Sequence, residues 1–475
     1  MRLQFCESTR PISIALVFVK YSQRSGILIM KPKKVKYIDL FAGLGGIRLG
    51  FVQAFEEAGY QTECVLTSEI KPAAVKALTT NFGATTIQGD ITTIDSSEIP
   101  DFDFLLAGFP CQAFSVAGKQ RGFLDTRGTL FFEVERILRE KRPYGFILEN
   151  VEGLVTHDRE NLTDEIGRTL STILYKLGSE LNYQVTWKVL DAQKFGLAQS
   201  RNRIYIVGTT KDKISLSGFK ASKATFKDVM EKGLPTVESK FTKQLFEKYK
   251  PEDLYGKAIK DKRGGIDNIH SWDVELRGHV TDQEKELLNS LLKERRKKHW
   301  ATVIGIDWMD GMPLTTDQIR TFYNSDNLEE MLDDLVDKGY LVLEHPKKKI
   351  VVNEDVESGR KAYERIPDKT KSKGYNIVSG KLSFDFTRIL SPDEVTPTLV
   401  AMDMATLGVI DNGGLRHLSL REGLRLFGYP DWYSLDDFGK TQKGMDLGYD
   451  LLGNTVCVPV IKCVAARLAK SYGGN

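Results

Sequence analysis

The stretch KYIDLFAGLGG (residues 36–46) joins an apolar run to a glycine-rich turn. The run predicts a buried strand, and the helical pattern after the turn places Ile47, Phe51 and Phe55 on one face. Apolar runs and helical patterns continue to alternate through residue 207. This alternation predicts an α/β domain, a doubly wound, mostly parallel sheet with helices on both faces.

Five positions suited to ligand contact stand at the ends of the predicted strands, where doubly wound sheets bind their ligands. They are Gly43, Glu69, Asp90, Cys111 and Glu149. The glycine turn alone is weak evidence, because tight strand-to-helix turns also use glycine for steric reasons. Glu69 is placed to accept both hydroxyls of a ribose, and Asp90 is placed to meet an adenine amino group. Together the three strand ends suggest an adenosine-containing cofactor.

A cysteine and a carboxylate follow two of these strands. Cys111 lies in GFPCQAFS (residues 108–115), where Pro110 stiffens its backbone, and the basic segment GKQRG (residues 118–122) follows. A lone buried cysteine is more often a small hydrophobe than a nucleophile, and Glu149 can equally be a structural carboxylate. A thiol and a carboxylate on two strand ends can nevertheless attack one atom of a heterocycle and protonate another.

The stretch QSRNR (residues 199–203) carries two arginines two residues apart. Alternate residues point to one face if the segment is extended. Arg201 and Arg203 would then suit a phosphate or a carbonyl oxygen. The alternative is that both are ordinary surface charge.

Taken in order, these blocks resemble those of the DNA (cytosine-5)-methyltransferase family, of the bacterial restriction–modification type. The resemblance rests on DLFAGLGG (39–46), GFPCQ (108–112), ENV (149–151) and QSRNR (199–203). Further support comes from DTRGTLF (125–131), RHLSLRE (416–422), FGYPD (427–431) and GNTV (453–456). The blocks cover roughly residues 35–210 and 385–470, with no departure at a catalytic position.

The resemblance implies a Rossmann-like, S-adenosyl-L-methionine-dependent methyltransferase fold and a cytosine flipped from duplex DNA as the substrate. Cys111 would attack C6 as a thiolate and Glu149 would act at N3, while Arg201 and Arg203 would bind the base carbonyl or a nearby phosphate. The other implied substrate or DNA contacts are Gln112, Ser115, Asn150 and Gln199, with Asn150 at the pyrimidine edge or in its supporting shell. The implied cofactor contacts are Phe41, Gly43, Leu44, Gly45, Gly46, Glu69, Ile70, Asp90, Ile91, Pro110, Asn454 and Val456.

Two other functions stay open beside a protective DNA methyltransferase. One is a tRNA cytosine-5 methyltransferase with the same catalytic blocks, against which the large variable region argues. The other is a non-catalytic DNA-binding paralogue, against which the intact Cys111, Glu149 and Arg203 argue. The DNA recognition sequence does not follow from the chain, because readout depends on side-chain placement in an unmatched region.

The expected organisation has a discontinuous catalytic domain, residues 30–210 completed by 440–475. Residues 1–29 are expected to be an ill-ordered leader or a mis-assigned start, and 211–439 an α+β target-recognition domain. Within this domain, residues 278–350 are a possible winged-helix module. Its second helix is acidic and would be repelled by phosphate. The basic runs at 347–349 and 293–300 are better candidates for DNA contact, or are solvated charged ends.

Composition sets limits on partners. The net charge of +3, with 41% apolar and 28% charged residues, is ordinary for a globular protein and does not by itself indicate nucleic acid. Five scattered cysteines and six unclustered histidines predict no metal site and a reduced, cytoplasmic compartment. The family resemblance implies that this compartment is the bacterial cytosol or nucleoid. The apolar stretch at 12–19 is too short for a membrane span. We expect a monomer on double-stranded DNA, with a cognate restriction endonuclease as a functional rather than a physical partner.

Overall fold

The computed structural model of the chain describes residues 33–83, 87–110, 130–159, 164–261, 268–354, 361–378 and 384–474. The leader at 1–29 and three predicted site residues (Cys111, Gln112 and Ser115) lie outside the described residues. The strands are β1 (Lys34–Leu40), β2 (Gln61–Ser68), β3 (Ile87–Gln88), β4 (Phe104–Gly108), β5 (Gly145–Val151), β6 (Gln184–Asp191), β7 (Asn202–Thr209), β8 (Ala258–Ile259), β9 (Asn268–Ile269), β10 (Leu341–Glu344), β11 (Lys347–Glu354), β12 (Lys361–Pro367), β13 (Gly374–Ile377), β14 (Arg388–Ile389), β15 (Leu407–Asp411) and β16 (Gly414–His417). The helices are α1 (Gly46–Glu57), α2 (Pro72–Phe82), α3 (Leu130–Lys141), α4 (Arg168–Tyr175), α5 (Lys240–Lys248), α6 (Pro251–Leu254), α7 (Asp282–Glu294), α8 (Lys298–Ile304), α9 (Thr316–Arg320), α10 (Leu328–Asp337), α11 (Leu420–Leu426), α12 (Gln442–Gly453) and α13 (Val458–Gly473).

A seven-stranded sheet organises the first half of the chain. Its order is β3-β2-β1-β4-β5-β7-β6, and all neighbours are parallel except β7, which is antiparallel to both β5 and β6. Strand β1 pairs with β2 on one side and β4 on the other, so the winding direction reverses between β1 and β4. The predicted doubly wound, mostly parallel sheet is confirmed. A ligand is expected beyond the carboxyl ends of the two strands at this reversal.

Both faces of the sheet are covered, because successive residues of each central strand point to opposite sides. Phe104 and Leu106 of β4 join the core that contains α1 and α13, whereas Leu105 and Ala107 join the core that contains α3 and α4. The last helix therefore shares a core with the first. Gly50 permits this approach, since a Cβ there would lie 2.7 Å from the carbonyl oxygen of Val458.

One apolar helical stretch, Gln442–Gly473, is long enough to cross a membrane by length and composition. It consists of α12 and α13 with a break between them. Of its most apolar window, 67% is buried inside the protein. A core helix of a soluble protein passes the same test, and α13 packs against α1 in this way.

A five-stranded sheet of order β16-β15-β14-β8-β9 forms the centre of the second half. The segment between β9 and β14 is an insertion with a hydrophobic core of its own, which runs from Trp272 to Ile377. Because β8 lies between β9 and β14, the chain leaves and rejoins this sheet two strand spacings apart, about 10 Å. We call residues 272–378 the inserted module.

The inserted module contains α7 to α10 followed by two antiparallel strand pairs, β10 with β13 and β11 with β12. An isolated bridge joins Leu314 to Tyr375 of β13. The acidic helix expected within 278–350 corresponds to α10. The module extends past the expected boundary at 350, because the partner of β10 lies beyond the β11–β12 hairpin. The winged-helix assignment stays a prediction.

Candidate active site

The turn after β1 is built from left-handed residues. Phe41, Gly43 and Gly45 have φ angles of 55°, 54° and 70°. A Cβ at Gly43 would meet nothing within 4 Å, whereas one at Gly45 would lie 2.6 Å from the Phe82 ring and one at Gly46 2.7 Å from Tyr429 Oη. Packing thus requires Gly45 and Gly46. Gly43 faces open space, where a ligand can approach the backbone.

Glu69 connects the ends of β1 and β2. Its carboxylate accepts hydrogen bonds from the backbone N–H of Gly43 at 2.7 Å and of Lys71 at 2.8 Å. Each carboxylate oxygen can accept a further bond, so the same geometry leaves acceptor capacity for a ligand hydroxyl. Beside it, Ile70 exposes 69% of its surface at the strand end. An apolar side chain this exposed at the edge of a cleft suits the flat face of a ring.

The end of β3 is more exposed to solvent than the ends of β1 and β2. Asp90 is exposed, and its carboxylate accepts from Thr92 N at 2.9 Å and Thr92 Oγ1 at 2.8 Å, which caps the short turn after β3. The side chains of Ile91 and Leu44 are buried in the two cores. Both positions were predicted as cofactor contacts, and the burial leaves only their backbones available to a ligand.

The C-terminal block closes the same edge. Val456 is buried against Gly46, and the Tyr429 hydroxyl and Thr455 Oγ1 are 2.6 Å apart. Asn454 stays exposed, and its amide donates to the backbone oxygen of Asp450 at 2.7 Å. This block therefore lies against the glycine turn.

Arg201 does not lie where the sequence predicted. Its side chain is buried and donates to the carbonyl oxygens of Leu399 (2.7 Å), Gly453 (3.1 Å) and Thr455 (3.0 Å). Burial, with the charge of Arg203 second, lowers the pKa of Arg201 to about 10. A guanidinium with these partners cannot reach a phosphate. Arg201 instead fastens the C-terminal block to the start of β7.

Gln199 needs the same correction. It was predicted to contact DNA, but its side chain is fully buried. Its amide donates to the Leu426 carbonyl at 3.1 Å, and its oxygen accepts from Leu399 N at 3.3 Å. The residue joins the sheet to the C-terminal blocks, and it has no path to DNA.

Glu149 and Arg203 meet at the ends of β5 and β7. Arg203 Nε lies 3.3 Å from Glu149 Oε1, and Glu149 is buried. Glu149 also pairs in register with Gly108, the last residue of β4. A Cβ at Gly108 would be 3.6 Å from Glu149 Oε2. The carboxylate therefore faces the strand end from which the chain continues through Pro110 to Cys111.

Asn150 supports this strand end. Its buried amide donates to the carbonyl oxygen of Phe109 at 3.2 Å, and its oxygen accepts from Val151 N at 2.8 Å. Asn150 was predicted to lie either at the pyrimidine edge or in the shell that supports it. These two hydrogen bonds fit the supporting shell. Asn150 fixes the backbone one residue before Pro110.

The electrostatics of Glu149 favour its protonated form. Burial raises the pKa of Glu149, and the charges of Arg203 and Arg201 counteract this only in part. A carboxyl that holds its proton to higher pH than usual can donate that proton to a ring nitrogen.

Sequence reasoning did not single out Asp39 and Arg48 beneath the glycine turn. Burial raises the pKa of Asp39 to about 7 despite the charge of Arg48. Asp39 Oδ2 and Arg48 Nη1 are both buried without a hydrogen-bond partner among the described residues. The signal was available, because Asp39 interrupts an apolar strand and Arg48 lies on the predicted core side of α1.

Within the described ranges, no group of three or more His, Cys, Asp or Glu side chains could hold a metal ion. At the carboxyl edge of the doubly wound sheet, the described residues present backbone groups, the carboxylates of Glu69, Asp90 and Glu149, and the guanidinium of Arg203. This arrangement is that of a doubly wound α/β domain with a buried acid at one strand end.

Comparison with known proteins names the family. The family model described as C-5 cytosine-specific DNA methylase matches residues 35–470, and the chain belongs to that family. It is a DNA cytosine-5 methyltransferase.

Relatives match over nearly their whole length. The chain is 59% identical to the type II methyltransferase M.NlaIV of Neisseria lactamica, across 92% of this chain and 99% of that protein. It is 41% identical to M.BanI of Aneurinibacillus aneurinilyticus, across 92% and 96%. Among solved structures, the match to the Entamoeba histolytica methyltransferase EhMeth covers 93% of this chain and 99% of that protein, with 14% identity and a TM-score of 0.49.

Proposed function

We propose that the enzyme methylates C5 of a cytosine flipped from duplex DNA, with Cys111 as the covalent nucleophile and Glu149 as the acid. The main support is the pairing of Glu149 with Gly108, three residues before Cys111. A carboxyl whose pKa is raised by burial, at the strand end that leads towards Cys111, suits a reaction in which one ring atom is attacked while another takes a proton.

The residues of the glycine turn fit S-adenosyl-L-methionine as the methyl donor. Open space at Gly43, the exposed Ile70 and the fixed Glu69 carboxylate offer a backbone, an apolar face and an acceptor at one edge. Phe41, Asp90 and Asn454 would complete the pocket, with Pro110 at its border. When bound, this cofactor supplies an electrophilic methyl group for C5.

The chain's own residues would prepare the base. The Cys111 thiolate forms a bond to C6 while Glu149 donates its proton to N3, so that the electron pair of the C5–C6 double bond becomes available at C5. After methylation, a water molecule or another base takes the C5 proton, the C5–C6 double bond re-forms as the thiolate leaves C6, and N3 returns its proton to Glu149. Splitting the transfer in this way replaces one difficult step by easier ones.

Arg203 and Asn150 would position these groups. Arg203 holds the Glu149 carboxyl and presents its remaining donors to the base carbonyl or a nearby phosphate. Asn150 fixes the backbone that leads to Cys111. Arg201 acts through the C-terminal block and touches no substrate.

We further propose that the enzyme is the protective partner of a restriction endonuclease in the bacterial cytosol, acting as a monomer on DNA. The support is the type II designation of relatives that match along nearly the whole chain. The endonuclease would share the recognition sequence without binding this protein.

The test is bisulfite sequencing of DNA from cells that express the protein. The wild type is expected to mark cytosines in one sequence context, and Cys111→Ser is expected to mark none while the purified variant still binds duplex DNA. Cys463→Ser, in a half-buried cysteine of α13, is the matched control and should methylate normally. Methylation by Cys111→Ser would overturn the covalent mechanism, and methylation of tRNA but not DNA would overturn the substrate.

A further inference from the structure

We infer that the hairpin β11–β12 of the inserted module, together with Trp308, is a second DNA-contacting surface that holds the sugar–phosphate backbone away from the methylated base without reading sequence. The inference rests on duplex DNA being the substrate.

No other part of the chain that the structure describes covers Val351 and Tyr363, on one face of this hairpin. Cross-strand partners share a face, and Lys349 pairs with Arg365 while Val351 pairs with Tyr363. Val351 and Tyr363 expose 48% and 54% of their surfaces, and Lys349 Nζ lies 4.7 Å from the centre of the Tyr363 ring. The face therefore alternates ammonium and apolar groups.

The loop after α8 extends this surface. Arg365 donates to the carbonyl oxygens of Asp307 and Trp308, at 3.4 and 2.9 Å, and so holds the loop against the hairpin. The Trp308 ring is partly exposed and its Nε1 donates to the Arg296 carbonyl. A recess of about 440 Å³ between α8 and the hairpin is lined by Lys348 and Lys349 and by two carboxylates, Asp307 and Asp368, of which Asp368 pairs with Lys348.

Charge decides which part of the module faces DNA. Residues 345–373, which include the whole hairpin, contain nine lysines and arginines against five carboxylates. Helix α10 has five carboxylates and no basic residue (Glu329, Glu330, Asp333, Asp334 and Asp337). Phosphates would be repelled by α10 and attracted to the hairpin. In a winged helix, the second helix would read the major groove. Here that helix is α10, and its negative charge excludes it from the side of the module that faces DNA.

The mixture of groups favours a nucleic-acid backbone over a protein partner. Large contiguous apolar patches mark sites for protein or membrane partners, whereas here single apolar side chains alternate with lysines. Lysines act as point charges on phosphates and carry no base preference. The surface should therefore add affinity and salt dependence without changing the methylated sequence.

The experiment compares the full-length wild type with Lys347→Gln/Lys349→Gln, which removes the two lysines of β11 that share the face of Val351. Binding to a mixed-sequence duplex of about four helical turns is measured by fluorescence anisotropy across a salt series. The double variant is expected to bind about fivefold more weakly, and the slope of log affinity against log salt should fall by about one to two. Methylation of saturating plasmid DNA should keep its rate and sequence context.

The matched control is Lys211→Gln/Lys213→Gln, which removes two exposed lysines at the opposite end of the catalytic sheet. It should bind like the wild type. Unchanged affinity and slope in the hairpin variant, or an equal loss in the control, would overturn the inference. Failure of the proposed function has a different signature, namely methylation by Cys111→Ser, so the two outcomes are read separately.

Discussion

Two extended segments, residues 201–203 and residues 347–349, carry closely spaced basic residues in opposite surroundings. At the start of β7, Arg201 bonds to three buried carbonyl oxygens and Arg203 to a buried carboxylate. In β11, Lys349 is exposed and contacts the face of a tyrosine ring. The same sequence pattern therefore serves two purposes. Buried charges hold the catalytic groups in place, whereas exposed charges attract the substrate, so changes in the first segment should be far more damaging.

The largest effect is expected at the partner of Arg203. Glu149→Gln keeps the shape and a hydrogen-bond acceptor for Arg203 but cannot donate a carboxyl proton. Turnover should fall by roughly 10²–10⁴-fold with DNA affinity nearly unchanged. Single-turnover transfer of a labelled methyl group to plasmid DNA measures the rate, and filter binding measures the affinity.

Glu152→Gln is the matched control for this prediction. Glu152 follows the same strand, is exposed, and accepts from Asn202 Nδ2 at 3.1 Å. Its replacement should leave turnover within about twofold of the wild type, as for other surface substitutions. A Glu149→Gln enzyme as fast as this control would refute the acid role.

The next effect separates the two arginines. Arg201→Met leaves three buried carbonyl oxygens without their donor and should lower the free energy of unfolding by about 3 kcal/mol or more. Arg203→Met should cost little stability but reduce turnover about 10–100-fold, because it loses a positioned donor at the site. Thermal unfolding and methyl-transfer rates of the two variants check this. Equal losses of stability in both would show that the two side chains act alike.

The smallest effect in this segment concerns pH. Since burial raises the pKa of Glu149, the native state holds this proton more tightly than the unfolded chain does. Stability is therefore lost as pH rises from the ordinary glutamate range through the raised native value. Glu149→Gln should match the wild type below this window and unfold a few degrees higher above it. A variant that is less stable at neutral pH and equal in acid would reverse the assigned sign.

Much of the catalytic sheet could be predicted from the sequence, because each apolar run ends at a glycine or at a polar or charged residue. Asp90 and Glu149 both stand at such stops. Helix α1 was predictable for a related reason, since Ile47, Phe51 and Phe55 repeat at helical spacing and are all buried.

The features that could not be predicted from the sequence depend on hydrogen bonds to backbone groups far along the chain. Arg201 and Gln199 bond to carbonyl and amide groups, and these carry no side-chain signal. The tie between Glu69 and the Gly43 N–H was hidden for the same reason. In the inserted module, β10 pairs with β13, which follows the β11–β12 hairpin. The local sequence pattern does not show this pairing, and it therefore placed the end of the module too early, at residue 350.

The fastening of the C-terminal block by Arg201 has a consequence for biosynthesis. Arg201 and Thr455 are 254 residues apart. At about 5–20 residues per second, roughly 13–50 s separate the synthesis of the two. Until then Gly46 lacks Val456 and Arg201 lacks two of its three acceptors. The pocket beside the glycine turn is thus completed last, and a ribosome that stops early releases a chain in which this pocket is unfinished.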